Sequence, residues 1–248
     1  MNISYFITVR TSSSRLPQKC LLPFGGMNII EHIIRRAKIY NIDPILCTST
    51  DSSDDILEEI ANNENIKFYR GSLINKLKRW YDCCDKFSID VFHTIDADDP
   101  FFDGKLMQNS IDLLIEKRLD VVCPTESSSS GDASVGYSLT KNIIGKALDL
   151  IDDDDKDTEM MWHYFDNIKN INKAIMPNNN NPYKVRLTLD YEEDYWLLQT
   201  VRRIIGNFAE REKLDKLFIN NPDLFKINWF RNEEWKKGQE LNRIDNKI

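Results

Sequence analysis

Residues 3–19 read ISYFITVRTSSSRLPQK. The first seven are β-branched and aromatic, the pattern of a short buried strand. The run then breaks into a loop, Arg10-Thr11-Ser12-Ser13-Ser14-Arg15-Leu16-Pro17-Gln18-Lys19, rich in hydroxyls and cations. Residues 29–39 follow with Ile29, Ile30, Ile33, Ile34 and Ala37 on one helical face. Strand, loop and helix together open an α/β unit. The pattern repeats: strand 44–48, helix 54–63 after a polar start, strand 66–69, helix 73–87, strand 90–95. In helix 73–87, Leu77, Trp80, Tyr81 and Cys84 share a side. Alternation with short connections predicts a mostly parallel sheet covered by helices on both faces, a three-layer Rossmann-like α/β fold. Right-handed crossovers set the post-strand loops along one sheet edge, where ligands bind in open α/β sheets. The loops after the first and fourth strands are therefore the expected places for chemistry.

A helix over 104–117 leads into a strand over 121–125, and the texture then changes. ESSSSGD is a polar stretch, 134–140 reads as a strand and 141–151 as a helix, and DDDDKD precedes the aromatic MMWHYF. NNNNP closes the section at 182. The expectation is one α/β domain over 1–248, with an insertion subdomain at about 126–182. The chain returns as an alternating strand, 183–189, and ends in helices over 191–205, 210–220 and 229–241. DDDD and NNNN read as solvated loops. Four adjacent aspartates splay and cannot face one metal ion. His32 reads as lying on the polar side of the first helix, and His93 lies within a strand; both read as structural.

The bulk composition narrows the function classes. Of 248 residues, 41% are hydrophobic and 29% charged, enough apolar material for a real core. The net charge of −7 disfavours binding to a nucleic-acid backbone. The first residues lack the basic lead and long apolar run of a signal peptide, and no stretch approaches a membrane span. Five cysteines, Cys20, Cys47, Cys83, Cys84 and Cys123, show no C-x-x-C spacing and read as reduced core thiols of a cytoplasmic protein.

The loop after the first strand suits a triphosphate. Arg10, Arg15 and Lys19 supply charge, and Ser12 and Ser13 supply hydroxyls. Arginine grips two oxygens at once, and lysine is a mobile point charge. The loop is no P-loop, since the G-x-x-x-x-G-K-[ST] spacing is absent, and no glycine lies before Phe24 for a dinucleotide fingerprint. A plain solvated loop is the competing reading. After the fourth strand comes Asp96-Ala97-Asp98-Asp99-Pro100. Carboxylates crowded at a sheet edge repel one another unless a divalent cation neutralises them. Mg²⁺ takes one or two carboxylates plus phosphate oxygens. Helix capping by Asp98 or Asp99 is the alternative. Asp190, at the end of 183–189, either caps the next helix or is a second carboxylate on the metal. Spacing alone leaves that open.

Taken in order, these segments resemble the cytidylyltransferases that activate sugars, including 3-deoxy-manno-octulosonate cytidylyltransferase and the spore-coat polysaccharide group. Arg10, Ser13, Arg15, Leu16, Pro17 and Lys19 fit the Arg-x-x-Ser-x-Arg-Leu-Pro-x-Lys loop. CTSTDSSDD, Arg70-Gly71-Ser72, Asp98-Asp99-Pro100 and the Leu-Thr-x-Asp ending at Asp190 follow in the family's order, over about 1–125 and 183–200. The resemblance implies the nucleotide-diphospho-sugar transferase-like fold. It implies that Arg10, Ser12, Ser13, Arg15, Lys19 and Asp98 bind the nucleotide, with Thr48 and Arg70 near base and ribose. Arg10, Lys19 and Asp98 would be catalytic, and Asp98 and Asp190 would hold Mg²⁺. The insertion would bind the acceptor, with Glu159 and His163 as its polar groups, and would serve homodimer formation. Arg79 matches an arginine of the spore-coat group whose role is open. Two departures stand out: Gln18 replaces the usual glycine before Lys19, and Thr8-Val9 replaces the usual Pro-Ala or Gln-Ala. Glutamine does not take glycine's positive φ freely.

The implied reaction is CTP plus a sugar acid giving a CMP-sugar and pyrophosphate, feeding surface polysaccharide or capsule biosynthesis. A phosphorylated acceptor giving a CDP product is the near alternative. A glycosyltransferase is another, because Asp96-Ala97-Asp98 formally satisfies D-x-D. An inactive regulatory homologue is a third.

Overall fold

The structure is a computed structural model and describes residues 1–125, 135–153, 156–177 and 184–245. β1 (Ile3–Thr8) forms the sheet's middle because both of its faces are apolar. Phe6 points into one layer and Ile7 into the other, the period-two alternation of a strand covered on both sides. After a short hairpin, β2 (Pro23–Phe24) and β3 (Met27–Asn28), α1 (Ile29–Ile39) starts at Asn28. The Asn28 side chain accepts from Glu31 N, and Glu31 answers to Asn28 N, a capping box that fixes the helix entry. β4 (Pro44–Ser49), α2 (Asp55–Asn63), β5 (Lys67–Gly71), α3 (Lys76–Phe87) and β6 (Val91–Asp96) follow as expected. α3 starts three residues later than the sequence pattern suggested, because the Asn75 side chain takes Lys78 N and caps it there.

Among the described residues the main sheet has seven strands in the order β5-β4-β1-β6-β8-β7-β9. It is completed by α4 (Gly104–Glu116), β7 (Val121–Cys123), β8 (Ser138–Thr140), α5 (Lys141–Leu148), α6 (Trp162–Asp166) and β9 (Lys173–Ile175). β5, β4, β1 and β6 run parallel, whereas β8 is antiparallel to both β6 and β7. The described part of 126–182 thus extends the central sheet: β8 sits between β6 and β7, and α5 and α6 add to the layer over α3. The strand expected over 134–140 is reduced to Ser138–Thr140. ESSSSGD and NNNNP lie outside the described residues.

From β1 the chain moves to β4 and β5 on one side, then crosses back to β6 on the other. The carboxyl ends of β1 and β6 therefore flank a topological switch point, the crevice where ligands bind in this class of sheet. α1, α2, α7 (Glu192–Ile205) and α8 (Arg211–Asn220) cover one face, and α3, α5 and α6 the other. α9 (Arg231–Asp245) ends the described chain.

Two expectations are corrected. Residues 184–189 form no regular secondary structure and join no ladder. The apolar residues Val185, Leu187 and Leu189 do enter the core. Arg186 and Thr188 are buried as well, so the alternation that suggested a half-exposed strand is not real. The segment lies against the loop after β6, with Leu189 N donating to Asp98 O at 2.7 Å. His32 is fully buried, not on a polar face. Its Nε2 lies 2.9 Å from Pro100 O and its ring stacks on Phe208, so α1 supports the post-β6 loop from below. His93 is buried too, against Ser138 Oγ and Val135 O.

Candidate active site

β1 ends at Thr8, and the chain turns into the 10–19 loop at the switch point. What holds this loop is Asp54, which the sequence reading passed over. Its buried carboxylate accepts from Thr11 N (2.8 Å) and Thr11 Oγ1 (2.9 Å) through one oxygen. The other oxygen accepts from Thr48 Oγ1 (3.0 Å) and Ser49 Oγ (2.5 Å). Burial pushes the Asp54 pKa up, but the hydrogen bonds from Ser49 and Thr11 outweigh it and hold it below the usual carboxylate range. Cys20 packs beneath the other end of the loop. Gln18 sits at φ 52° and ψ 30°, the left-handed region that the missing glycine would take freely. The turn it makes is closed by Leu21 N donating to Gln18 O at 2.8 Å, and it aims Lys19 back across the crevice.

Lys19 is the centre of the site. Its Nζ donates to Asp98 Oδ2 at 2.8 Å, Asp190 Oδ1 at 3.0 Å and Leu189 O at 2.8 Å. Burial would lower its pKa, but Asp98 and Asp190 together raise it, so the ammonium stays charged. The proximity of Asp98 and Asp190, which spacing left open, is thus established. Their surroundings differ. Asp98 is 30% exposed and Asp190 only 3%. Asp190 also takes Arg15 at 2.8 Å and Arg186 at 3.5 Å. Burial acts to raise its pKa, and Lys19 and Arg15 overcome that and lower it.

Asp190 stands on a buried pedestal. Arg186 and Asp194, both without solvent exposure, form a bidentate pair at 2.8 and 3.0 Å. Asp194 Oδ2 also accepts from Asp190 N (2.9 Å) and Tyr191 N (3.0 Å), capping α7. Asn228 donates to Asp194 at 2.9 Å, and Asn232 accepts from Arg186 at 2.9 Å. Neither Arg186 nor Asp194 was singled out from sequence. The signal was Asp194 at the fourth position after Asp190, where a carboxylate caps a helix start.

Two carboxylates converge on one ammonium, with Lys19 Nζ between them. Hard oxygen donors of this kind suit Mg²⁺, which completes its shell with phosphate oxygens and water. Asp98 and Asp190 therefore fit the metal role as a pair, with Asp98 the more open.

The other sequence candidates fall into three groups. Ser12 is exposed and Ser13 partly exposed on the open side of the loop. Arg10 donates to Leu73 O at 2.7 Å and reaches Glu159 at 3.5 Å. Thr48 and Arg70 are not brought to the crevice. Thr48 is buried with its hydroxyl on Asp54, so it supports the loop from beneath. Arg70 turns to Asp55 and Glu58 of α2, at 2.7 and 3.2 Å, and to Ser49 O and Asp51 O. Glu159 meets Arg10 and Lys76, which ties its segment to the 10–19 loop and to the start of α3. His163, on α6, makes no described contact with Glu159; its buried Nε2 has no partner among the described residues.

A family model described as cytidylyltransferase matches residues 5–194. The chain is 25% identical over 245 residues to the spore coat polysaccharide biosynthesis protein SpsF of Bacillus subtilis, covering 90% of this chain and 96% of that one. In structure it resembles a cytidylyltransferase from Leptospira borgpetersenii, with a TM-score of 0.80 and 23% identity over 90% of this chain and 96% of the other. It also resembles a CMP:2-keto-3-deoxy-manno-octonic acid synthetase solved with CTP, with a TM-score of 0.61 and 15% identity over 84% and 100% of the two chains. The last two likenesses carry the fold, and the family match carries the membership. It spans both strand ends that flank the crevice, the 10–19 loop and Asp98, and it reaches Asp190 and Asp194. The chain belongs to the cytidylyltransferase family and is a nucleotidyltransferase.

Proposed function

We propose that the protein transfers CMP from CTP to a sugar acid, with Mg²⁺ and release of pyrophosphate, in the cytoplasm and in the service of surface polysaccharide synthesis. The observation that carries the reading is Lys19 set between Asp98 and Asp190, beside Arg15. An acceptor hydroxyl attacks the α-phosphorus of CTP and releases its proton to solvent, the bond to the bridging oxygen breaks, and pyrophosphate leaves with the electron pair. Lys19 and Arg10 stabilise charge on the phosphate oxygens and the leaving group. Asp98 and Asp190 would hold Mg²⁺, which would supply further positive charge to those oxygens. Arg15 keeps Asp190 oriented, and Asp54 keeps the loop's backbone in place. The solved synthetase with CTP supports the nucleotide, and the likeness to the Bacillus subtilis protein supports the polysaccharide setting. The buried Nε2 of His163 and Nε1 of Trp162, without partners among the described residues, support a polar acceptor on that side. The exposed Ile175 on edge strand β9 supports a homodimer.

The test is a matrix of the four nucleoside triphosphates against sugar acids and phosphorylated acceptors, read by pyrophosphate release. Release with CTP and a sugar acid is expected. Release only with phosphorylated acceptors would shift the reading to a CDP product, and none with any pair would overturn it. Lys19→Ala and Asp98→Ala are each expected to lower turnover by about 10²–10³ while keeping the fold. A glycosyltransferase has no need of cations placed for a leaving pyrophosphate, and the family match stands on the side of nucleotidyl transfer.

A further inference from the structure

Glu159 is a carboxylate set among cations that come from other elements. Lys76, the first residue of α3, places Nζ 3.1 Å from Glu159 Oε1. Arg10, at the head of the 10–19 loop, reaches Oε2 at the longer distance of 3.5 Å. Arg79 lies one turn along α3 from Lys76 and close enough to feel both Arg10 and Glu159 electrostatically. Arg79 is only 1% exposed. It donates to Ser72 O at 2.9 Å, and its Nε meets no partner among the described residues. The segment that carries Glu159 is pinned to the start of α3. Thr158, fully buried, accepts from Leu77 N at 3.0 Å and donates to Asn75 Oδ1 at 3.1 Å.

The charges do not balance. Arg10, Lys76 and Arg79 contribute three positive charges next to the positive end of a helix, and Glu159 is the carboxylate in direct contact with Arg10 and Lys76. Asp54 lies near enough to act on Arg79, and an excess of positive charge remains, which suits a phosphate anion. The Glu159 side chain is 50% exposed, so nothing buries it in place. Lys76, ahead of Arg10, holds its pKa down to about 2, so it is an anion at any working pH.

We propose that Arg10, Lys76 and Arg79 form a phosphate-binding subsite in which the Glu159 carboxylate is a tethered competitor, displaced when a ligand phosphate arrives. The subsite rests on the placement of Arg10 in the nucleotide loop and not on turnover. It gives Arg79 and Lys76 roles in ligand binding, and it makes Glu159 a gate on that binding, not a contact to the acceptor.

The test is inorganic phosphate binding by isothermal titration to the full-length wild type, Glu159→Gln and Lys76→Gln, with and without saturating CTP. Glu159→Gln removes the competing charge in the same shape and is expected to tighten phosphate about three- to tenfold. Lys76→Gln is expected to weaken it by a similar factor. A gain of affinity cannot come from misfolding, so the first variant guards the second. Tightening that persists with CTP bound assigns the subsite to a phosphate on the acceptor. Tightening that CTP abolishes, with a parallel gain in CTP affinity, assigns it to the nucleotide. Equal phosphate affinity in wild type and Glu159→Gln would overturn the proposal. Phosphate binding that shifts as expected while every nucleotide fails to yield pyrophosphate would leave the subsite standing and sink only the transfer reaction.

Discussion

Replacing Asp194 with alanine should damage the protein more than replacing its partner Arg186 with methionine. The two form a bidentate pair with no solvent exposure. Their other contacts are unequal. Without Arg186, Asp194 still accepts from Asp190 N, Tyr191 N and Asn228 Nδ2. Without Asp194, Arg186 keeps one neutral acceptor on Asn232 and a long contact of 3.5 Å to Asp190. Stranding a buried guanidinium costs about 3–5 kcal/mol. A carboxylate that loses this two-point contact but keeps three N–H donors stays partnered on both oxygens and loses less, about 1–3 kcal/mol. In a chain of this length each kcal/mol moves the melting midpoint by about 2–4 °C. Asp194→Ala should therefore melt roughly 6–20 °C below wild type, and Arg186→Met roughly 2–12 °C below. Urea unfolding with m-values compared across variants gives the free energies directly. Asp194→Ala within 1 kcal/mol of wild type, or Arg186→Met as the worse of the two, would refute the reasoning. Because Asp190 N hangs on Asp194, the alanine variant should also lose pyrophosphate release at temperatures where it is still folded.

Gln18→Val should cost about 1–2 kcal/mol in urea unfolding, since a β-branched residue resists the left-handed φ of 52°. Gln18→Gly should stay within about 1 kcal/mol of wild type, because relieved strain is offset by a freer unfolded chain; a loss as large as valine's would show that the glutamine side chain matters. Asp54→Ala strands Thr11 N and should raise the KM for CTP and lower stability by about 1–3 kcal/mol; an unchanged KM would mean that the loop holds itself. Burial holds His32 and His93 down to about 4, against about 6.5 in an unfolded chain. Between those values the unfolded state binds the extra protons, so stability should fall as pH drops from about 6.5 to 4, by roughly 3 kcal/mol per ring at the lower end. A urea midpoint that stays flat from pH 7 to pH 5 would contradict the buried, neutral assignment.

The sheet was legible because each early strand is short, apolar and followed by a helix with a clean apolar stripe. Phe6 and Ile7 entering opposite layers is what that pattern means physically. The pattern failed where polar residues are buried for reasons that lie far off in the chain. His32 read as lying on the polar side of its helix because its hydrogen-bond partner, Pro100 O, is 68 positions away. Residues 184–189 read as a half-exposed strand because nothing local shows that Arg186 is buried by Asp194, Asn228 and Asn232. Hydrophobic period reports burial only when the buried residues are apolar.

The site was legible in a similar, partial way. Lys19, Asp98 and Asp190 could be named from residue type and loop position, but their convergence depends on a backbone contact, Leu189 N to Asp98 O, between segments about ninety residues apart. Thr48 and Asp54 show where residue type alone misleads. Thr48 lies near the end of β4 and Asp54 in the polar turn that follows, and the hydroxyl looked like the ligand contact. The geometry reverses the order: the carboxylate is the hub, and Thr48 is one of the donors that satisfy it. A buried carboxylate needs several donors to remain charged, so hydroxyls close in sequence to a buried aspartate are spoken for before any ligand arrives. A hydroxyl-rich loop therefore says more about ligand binding when it holds no buried carboxylate. Ser12 and Ser13 meet that condition on the open side of their loop, and Thr48 does not.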